Sequence, residues 1–376
     1  ALFDRKTGKH HGEQLVTLNE AQQSFSFSGF AEPPVLSINR GFSAPVAIER
    51  EVANEDLVFL AANDDDSFAR YEAMQDLVVR HLCGLLGGSL DESGRDAGRE
   101  AIGQAFSAVL GDDGIDDLMR GELLILPGES YLAEQMLVAD PAAIRTEREG
   151  LKGWLGRTLQ SEFLALHERA RAAADDTSAA AKGARKVKTQ ALVYLAAGDP
   201  KRAAQLAAAQ YDAAGNMTDR QGALMVLTSL ETPERTAKLL DFYERFKGNA
   251  LVIDKWFALQ ASSLHPDLLE QVKALAHHPD FTLKNPNRVR SLYMPFTGTA
   301  QGFHAASGEG YRIIADLILA LDPLNPQTAA RFVPPLGRWR RIEPGRAALM
   351  RAELERIAAA PKLSRDTFEQ VTRSLG

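Results

Sequence analysis

A single cysteine, Cys83, stands in a chain of 376 residues. That scarcity excludes an internal disulfide framework and any thiolate cluster able to hold a structural zinc, and it fits a reducing, cytoplasmic location. Cys83 lies in the apolar stretch from Leu77 to Leu86 and is expected as core rather than as a reactive thiol. No apolar run approaches the roughly 18 residues of a membrane span, and Ala1 to His10 lack the basic-then-apolar pattern of a leader. With 45% hydrophobic and 25% charged residues, the composition is that of a soluble globular chain with no membrane partner.

Positive charge is scarce where it would matter for nucleic acid. Residues 51–150 carry 22 acids against 7 bases, residues 151–376 carry 23 against 31, and the first fifty residues balance. The acidic segment repels nucleic acid and anionic membranes. One basic cluster, Arg338 to Arg341 around Trp339, is too short to reverse this and is expected on the surface or pairing between helices.

Catalytic signatures are also missing. A thermolysin-type zinc site needs two histidines one helical turn apart with a glutamate between them. His167-Glu168-Arg169-Ala170-Arg171 starts that pattern but places a cation where the second ligand belongs, so His167 is expected on a solvent-facing helix surface. The neighbouring pairs His10–His11 and His277–His278 point in divergent directions and are poor metal ligands. Asp112, Asp113, Asp116 and Asp117 lack the glycine and closing glutamate of a calcium loop, and are expected before a short helix. Gly84, Gly87 and Gly88 lack the spacing and lysine of a nucleotide loop and read as a helix end. There is no GxSxG elbow. No catalytic residue and no metal ligand is assigned within the chain.

What is present is a change of period. Up to about residue 50, short alternating runs read as strands: Gln14 to Leu18, Phe25 and Phe27 around Ser26, Val35 to Ile38, and Val46 to Ile48, with Pro33, Pro34 and Pro45 confining them to edges or short pieces. Fifty residues make too few strands for a closed domain, so the chain is expected to begin inside a β-domain whose earlier strands lie upstream; Ala1 in place of a methionine agrees. From about Asn54 the period becomes near 3.6. Thr232 to Phe246 illustrates it, with Thr232 as cap, Pro233 at the first helical position, a stripe of Leu239, Leu240, Tyr243 and Phe246, and Gly248 as stop. Tyr311, Ile314, Ile318 and Leu321 form another stripe, and Phe368, Val371 and Leu375 the last. Short Gly, Pro, Asn and Asp connectors, without a repeat of fixed length, imply a mainly α chain: an irregular α-solenoid of stacked helix pairs preceded by a partial β-sandwich segment. Its concave side is a natural enclosing surface.

Five stretches carry a resemblance. Gly41-Phe42-Ser43-Ala44-Pro45-Val46, Asn216-Met217-Thr218-Asp219, Asp254-Lys255-Trp256-Phe257, Asn285-Pro286-Asn287-Arg288-Val289-Arg290-Ser291-Leu292 and Asn325-Pro326-Gln327 together resemble the bacterial type of the aminopeptidase N family, the gluzincin zinc aminopeptidases, in the family's order. The resemblance implies the end of an Ig-like β-sandwich domain at residues 1–52 and the helical carboxy-terminal domain at residues 53–376. In that family zinc is bound by the two histidines of HExxH and a later glutamate, and a GxMEN segment anchors the substrate's amine. None of these pieces occurs here, so the resemblance implies that zinc belongs to an upstream catalytic domain of the same polypeptide and that this chain alone is inactive.

The implied role is the wall of a chamber that admits peptides and rejects folded proteins. Asn287, Arg288 and Arg331 are the residues expected to line that substrate cavity, although Arg288 beside a good helix start is equally suited to pairing with an acid. If it lines the cavity, Arg288→Ala raises KM for longer peptides more than for an aminoacyl anilide. The alternatives are a stand-alone helical scaffold binding a peptide or protein on its concave face and an enzyme with an unfamiliar centre of Asp, Glu and His.

Overall fold

Leu2–Phe3 and Val35–Leu36 form the only sheet in the computed structural model, which describes residues 1–376. They pair antiparallel, with Leu2 opposite Leu36 and Phe3 opposite Val35. Phe3 and Val35 are buried, and the His10 ring stacks on Phe3 at 5.0 Å. The other expected strands do not form. Leu15 is 86% exposed, and Leu18, Phe25, Phe27, Val46 and Ile48 also face solvent. A strand is held by the N–H and C=O groups of its neighbour, and no extended segment of this chain lies beside these runs.

Helix begins at Asn54, and nineteen α-helices follow. Their starts explain part of the acid-rich composition. Asp66, Asp91 and Asp116 accept hydrogen bonds from the backbone N–H of Ala69, Gly94 and Met119, each at 2.8 Å, and Asn216, Asn249, Asn285 and Asn325 cap later helices in the same way. Each such cap is worth about 1 kcal/mol.

Two compact units emerge, one of residues 1–127, 158–172 and 177–190, the other of residues 128–157, 173–176 and 191–376. In the first, helices Asn54–Asn63, Ser67–Leu86 and Glu92–Gly111 bury Leu57, Met74, Leu77, Ile102 and Phe106. Buried Arg70 ties the end of one helix to the loop after another, donating to Ala61 O at 2.7 Å and to Asp112 Oδ2 at 2.8 Å. Asp117 opens the short helix Asp117–Leu123 and accepts from Arg169 at 2.8 Å. His167 is buried on helix Gln160–Arg169, not solvent-facing as its sequence context suggested; the helix turns that position onto the core face that also carries Phe163 and Leu166. Gly87 and Gly88, with φ of +69° at Gly88, end helix Ser67–Leu86, as expected. Cys83 on that helix is half-buried, and burial pushes its thiol pKa up.

In the second unit, helix Glu309–Leu321 buries Tyr311, Ile314, Ile318 and Leu321 as its period requires. Helix Pro233–Phe246 departs from expectation: Leu239 and Phe242 are buried while Leu240 is 60% exposed, and Thr232 stands at the cap position without a side-chain bond. On the last helix, Arg365–Leu375, Val371 and Thr367 are buried but Phe368 faces outward. One crossing is unusually tight: a Cβ on Gly156 would lie 2.1 Å from the carbonyl oxygen of Tyr194, so only glycine fits between helices Pro141–Thr158 and Ala179–Gly198. Far along the chain, Ala139 and Ile342 form an isolated parallel bridge, with Ala139 N donating to Arg341 O at 2.7 Å and Glu343 N to Ala139 O at 2.9 Å. This bridge sets the turn Arg338–Arg341 beside the start of helix Pro141–Thr158.

Candidate functional site

Next to that bridge the second unit encloses a cavity of about 510 Å³, within the usual size of small-molecule sites. Its lining includes helix Glu129–Glu134, Pro141 and Ile144, together with Met294, Phe303 and the Pro334–Pro335 step. Arg338, Arg341 and His304 also line it.

The charges around it are unequally engaged. Lys152 Nζ donates to both carboxylate oxygens of Glu149, at 2.5 and 2.7 Å, and Arg148 donates to the same carboxylate at 2.8 Å. Arg145 is held by Gln301 Oε1 and by the carbonyl of Leu264. Glu149 thus collects the nearby cations, and Glu129 makes neither a hydrogen bond nor a close ion pair. Burial pushes the Glu129 carboxyl above its ordinary range, against the opposing pull of Arg148 and Arg145. Arg341 donates to the carbonyls of Glu134 and Met136, at 3.1 and 2.9 Å, without meeting a carboxylate. Arg338 is exposed and has no partner.

His304 is a neutral member of this lining. Burial, reinforced by Arg346, pushes its pKa down to about 4, so near pH 7 the ring is uncharged. Its Nδ1 lies 2.9 Å from the Tyr311 hydroxyl, while Arg346 donates to its backbone carbonyl at 2.6 Å. Neither Glu129 nor His304 stood out in the sequence, because each is an isolated polar residue in a connector or a short helix. The basic cluster did stand out, and inter-helix pairing holds for part of it: Trp339 Nε1 donates to Ser374 O at 3.0 Å and Arg340 to the same carbonyl at 3.2 Å.

The three residues singled out from the sequence are not part of this lining. Arg288 is buried, its Nε 2.6 Å from Asp254 Oδ1, its Nη1 2.5 Å from the Asp280 carbonyl, and its guanidinium 4.8 Å over the Phe257 ring. Asn287, one residue earlier, is exposed and accepts from Arg290 at 2.5 Å. Arg331 is exposed just after the short helix Pro326–Ala330. Nowhere do three or more His, Cys, Asp or Glu side chains gather. His278 instead lies among the rings of Tyr243, Trp256 and Phe257, and His277 turns away to the carbonyl of Lys273.

A family model described as domain of unknown function DUF3458_C, ARM repeats, matches residues 54–376, and one described as DUF3458, Ig-like fold, matches residues 1–51. The chain belongs to the DUF3458 family. Its fold is accordingly mainly α, of the ARM-repeat kind, after an Ig-like segment. Its relatives include aminopeptidase N of Caulobacter vibrioides, 38% identical over 96% of this chain and 42% of the relative, and aminopeptidase N of Escherichia coli, 33% identical over 98% and 42%. The solved structure of Legionella pneumophila aminopeptidase A in complex with aspartic acid matches all of this chain and 44% of its own, with a TM-score of 0.86 at 28% identity. The chain therefore spans less than half the length of the relatives it matches, and its similarity is to the carboxy-terminal portion of aminopeptidase N.

Proposed function

We propose that this chain is the carboxy-terminal part of a zinc-dependent aminopeptidase that removes amino-terminal residues from peptides, and that the zinc lies on a part of the polypeptide outside these 376 residues. The observation that carries the reading is coverage: relatives named aminopeptidase N match nearly the whole of this chain but only 42% of themselves. The exposed apolar side chains of residues 15–48 support it, because apolar surface left open to solvent is what a neighbouring part of the polypeptide would cover. The chain's role is then to wall the chamber over the metal with its helices, and excluding water there strengthens every polar contact a peptide makes.

Asn287 and Arg331, both exposed, are proposed to face the peptide's downstream residues, whereas Arg288, paired with Asp254, takes the acid-pairing alternative. In the whole enzyme, Arg331→Ala then raises KM for a tetrapeptide several-fold more than for alanyl anilide. Equal effects on the two substrates exclude the cavity role.

The reading is tested by an antibody against this chain, used on fractionated lysate of its source cells assayed for alanyl anilide hydrolysis. A band far above 41 kDa that follows a chelator-sensitive activity is expected, and the purified 376-residue chain should show none. A 41 kDa band without activity overturns the reading in favour of a scaffold that works alone.

A further inference from the structure

The turn Arg338–Arg341 divides its four side chains between two surfaces. Trp339 and Arg340 belong to the last helix: Trp339 Nε1 donates to Ser374 O at 3.0 Å, and Arg340 donates to Ser374 O at 3.2 Å and to Leu375 O at 2.5 Å. Arg338 and Arg341 line the cavity instead. In a 3-10 helix residues three apart eclipse one another, at a rise of about 2 Å per residue, so the two arginines stand on one side of the turn with their backbones about 6 Å apart. Neither meets a carboxylate. Arg338 is exposed without a partner, and Arg341 engages only Nη2, which donates to the carbonyls of Glu134 and Met136 at 3.1 and 2.9 Å. Those two bonds hold the Arg341 guanidinium in place and leave its Nε and Nη1 hydrogens open. The turn itself is pinned by Ala139 N, which donates to Arg341 O at 2.7 Å.

We infer that this cavity binds a small phosphate monoester with an apolar body, its headgroup held between Arg338 and Arg341. One guanidinium fork satisfies the two oxygens of a carboxylate. A phosphate monoester brings three acceptor oxygens and close to two negative charges, which is what two arginines on one face, neither of them neutralised, can take. The apolar part of the lining, Ile144, Met294, Phe303, Pro334 and Pro335, suits an aromatic or short aliphatic body. A volume of about 510 Å³ has room for both parts of such a molecule. Two acids share the lining. Glu129 is under the pull of Arg148, Arg145 and Lys152, whereas Glu134 is exposed and meets no cation, so Glu134 opposes the headgroup. The site uses the second unit alone and stands whether or not the chain is part of a peptidase.

The test is calorimetric titration of the 376-residue chain with phenyl phosphate at about pH 7.5, where a second pKa near 6 leaves the headgroup mostly dianionic. Saturable binding is expected. Benzoate, with one charge and two oxygens, should bind about tenfold or more weakly, as loss of a charge-assisted hydrogen bond implies. Inorganic phosphate, which lacks the apolar body, and phenol, which lacks the headgroup, should each fall at least as far. Arg338→Gln should weaken phenyl phosphate about tenfold or more and leave phenol unaffected; Arg338 is exposed, so its variant keeps the fold, which an unchanged urea midpoint checks. Arg340→Gln removes a charge from the same turn but from the side facing the last helix, and should leave binding within about twofold. Glu134→Gln should tighten it. Absence of binding at millimolar phenyl phosphate, equal binding of benzoate, equal loss in the Arg338 and Arg340 variants, or weaker binding to Glu134→Gln overturns the proposal. None of these results bears on the aminopeptidase reading, which concerns catalysis by residues outside this chain.

Discussion

Replacing Arg288 by alanine removes one partner of a buried ion pair and leaves Asp254, whose side chain is 16% exposed, without its cation. Loss of one member of such a pair costs about 3–5 kcal/mol, and the lost stacking over Phe257 adds about 0.5–1 kcal/mol. Because some water reaches Asp254, the lower half of the first range applies, giving about 4 kcal/mol in all. For a unit of roughly 150–250 residues, 1 kcal/mol moves Tm by about 2–4 °C, so the second unit should melt roughly 10 °C lower. The assay is urea and thermal unfolding followed by circular dichroism, run on Arg288→Ala, Asp254→Leu and the double variant Arg288→Met with Asp254→Leu. An apolar pair of similar volume needs no compensation, so the double variant should recover to within about 1 kcal/mol of the parent. A single variant as stable as the parent, or a double variant that loses the sum of the two singles, would refute the coupling inferred from the 2.6 Å contact.

Three further outcomes are expected. Gly156→Ala drives a methyl into the Tyr194 carbonyl and should cost about 3 kcal/mol in urea unfolding, whereas Gly150→Ala in the same helix, with open space around it, should be neutral or slightly stabilising; equal behaviour of the two contradicts the tight crossing. His304 has a folded pKa of about 4 against an unfolded value near 6.5, so the unfolded chain binds the extra proton first; its stabilisation is whole above about pH 6.5 and is lost as pH falls toward 4, about 3 kcal/mol in total. His265 and His278 shift in the same direction, so the test is the difference between the parent and His304→Gln, which should show a shallower loss of urea midpoint between pH 7 and 4.5. An unchanged slope assigns the loss to other groups. The Cys83 thiol, held up by burial, should react with a disulfide reagent at pH 8 at least tenfold more slowly in the native chain than in urea, and equal rates would place it on an open surface.

Helix was legible wherever burial follows the 3.6 period on one face, as at Tyr311, Ile314, Ile318 and Leu321, and wherever Asn or Asp marks a start. It was least legible in orientation. Leu240 and Phe368 share spacing with buried neighbours yet point outward, because a stripe wider than the contact it serves leaves one edge in water. The strands before Asn54 could not be judged locally, since pairing is a property of two segments and the second is not within reach in this chain. The Arg288 pairing was foreseeable as an option but not its partner: Asp254 lies 34 residues away, and only the packing of two helices brings it within reach. The cavity was the least visible feature, because Glu129, His304 and Arg338 come from a short helix and two separate turns with no common period.

The bridge at Ala139 and Ile342 also fixes an order of events. Arg341 reaches Met136 across 205 residues of chain, a span that closes only at a substantial entropic cost and only after everything between has been made. During synthesis the earlier helices emerge and pair locally, while the seal awaits the residues around Ile342. A ribosome stalled before Ile342 would therefore carry a helical but unsealed nascent chain. Cleavage at Ala139, which is 1% exposed once the bridge has formed, would distinguish that precursor from the sealed protein.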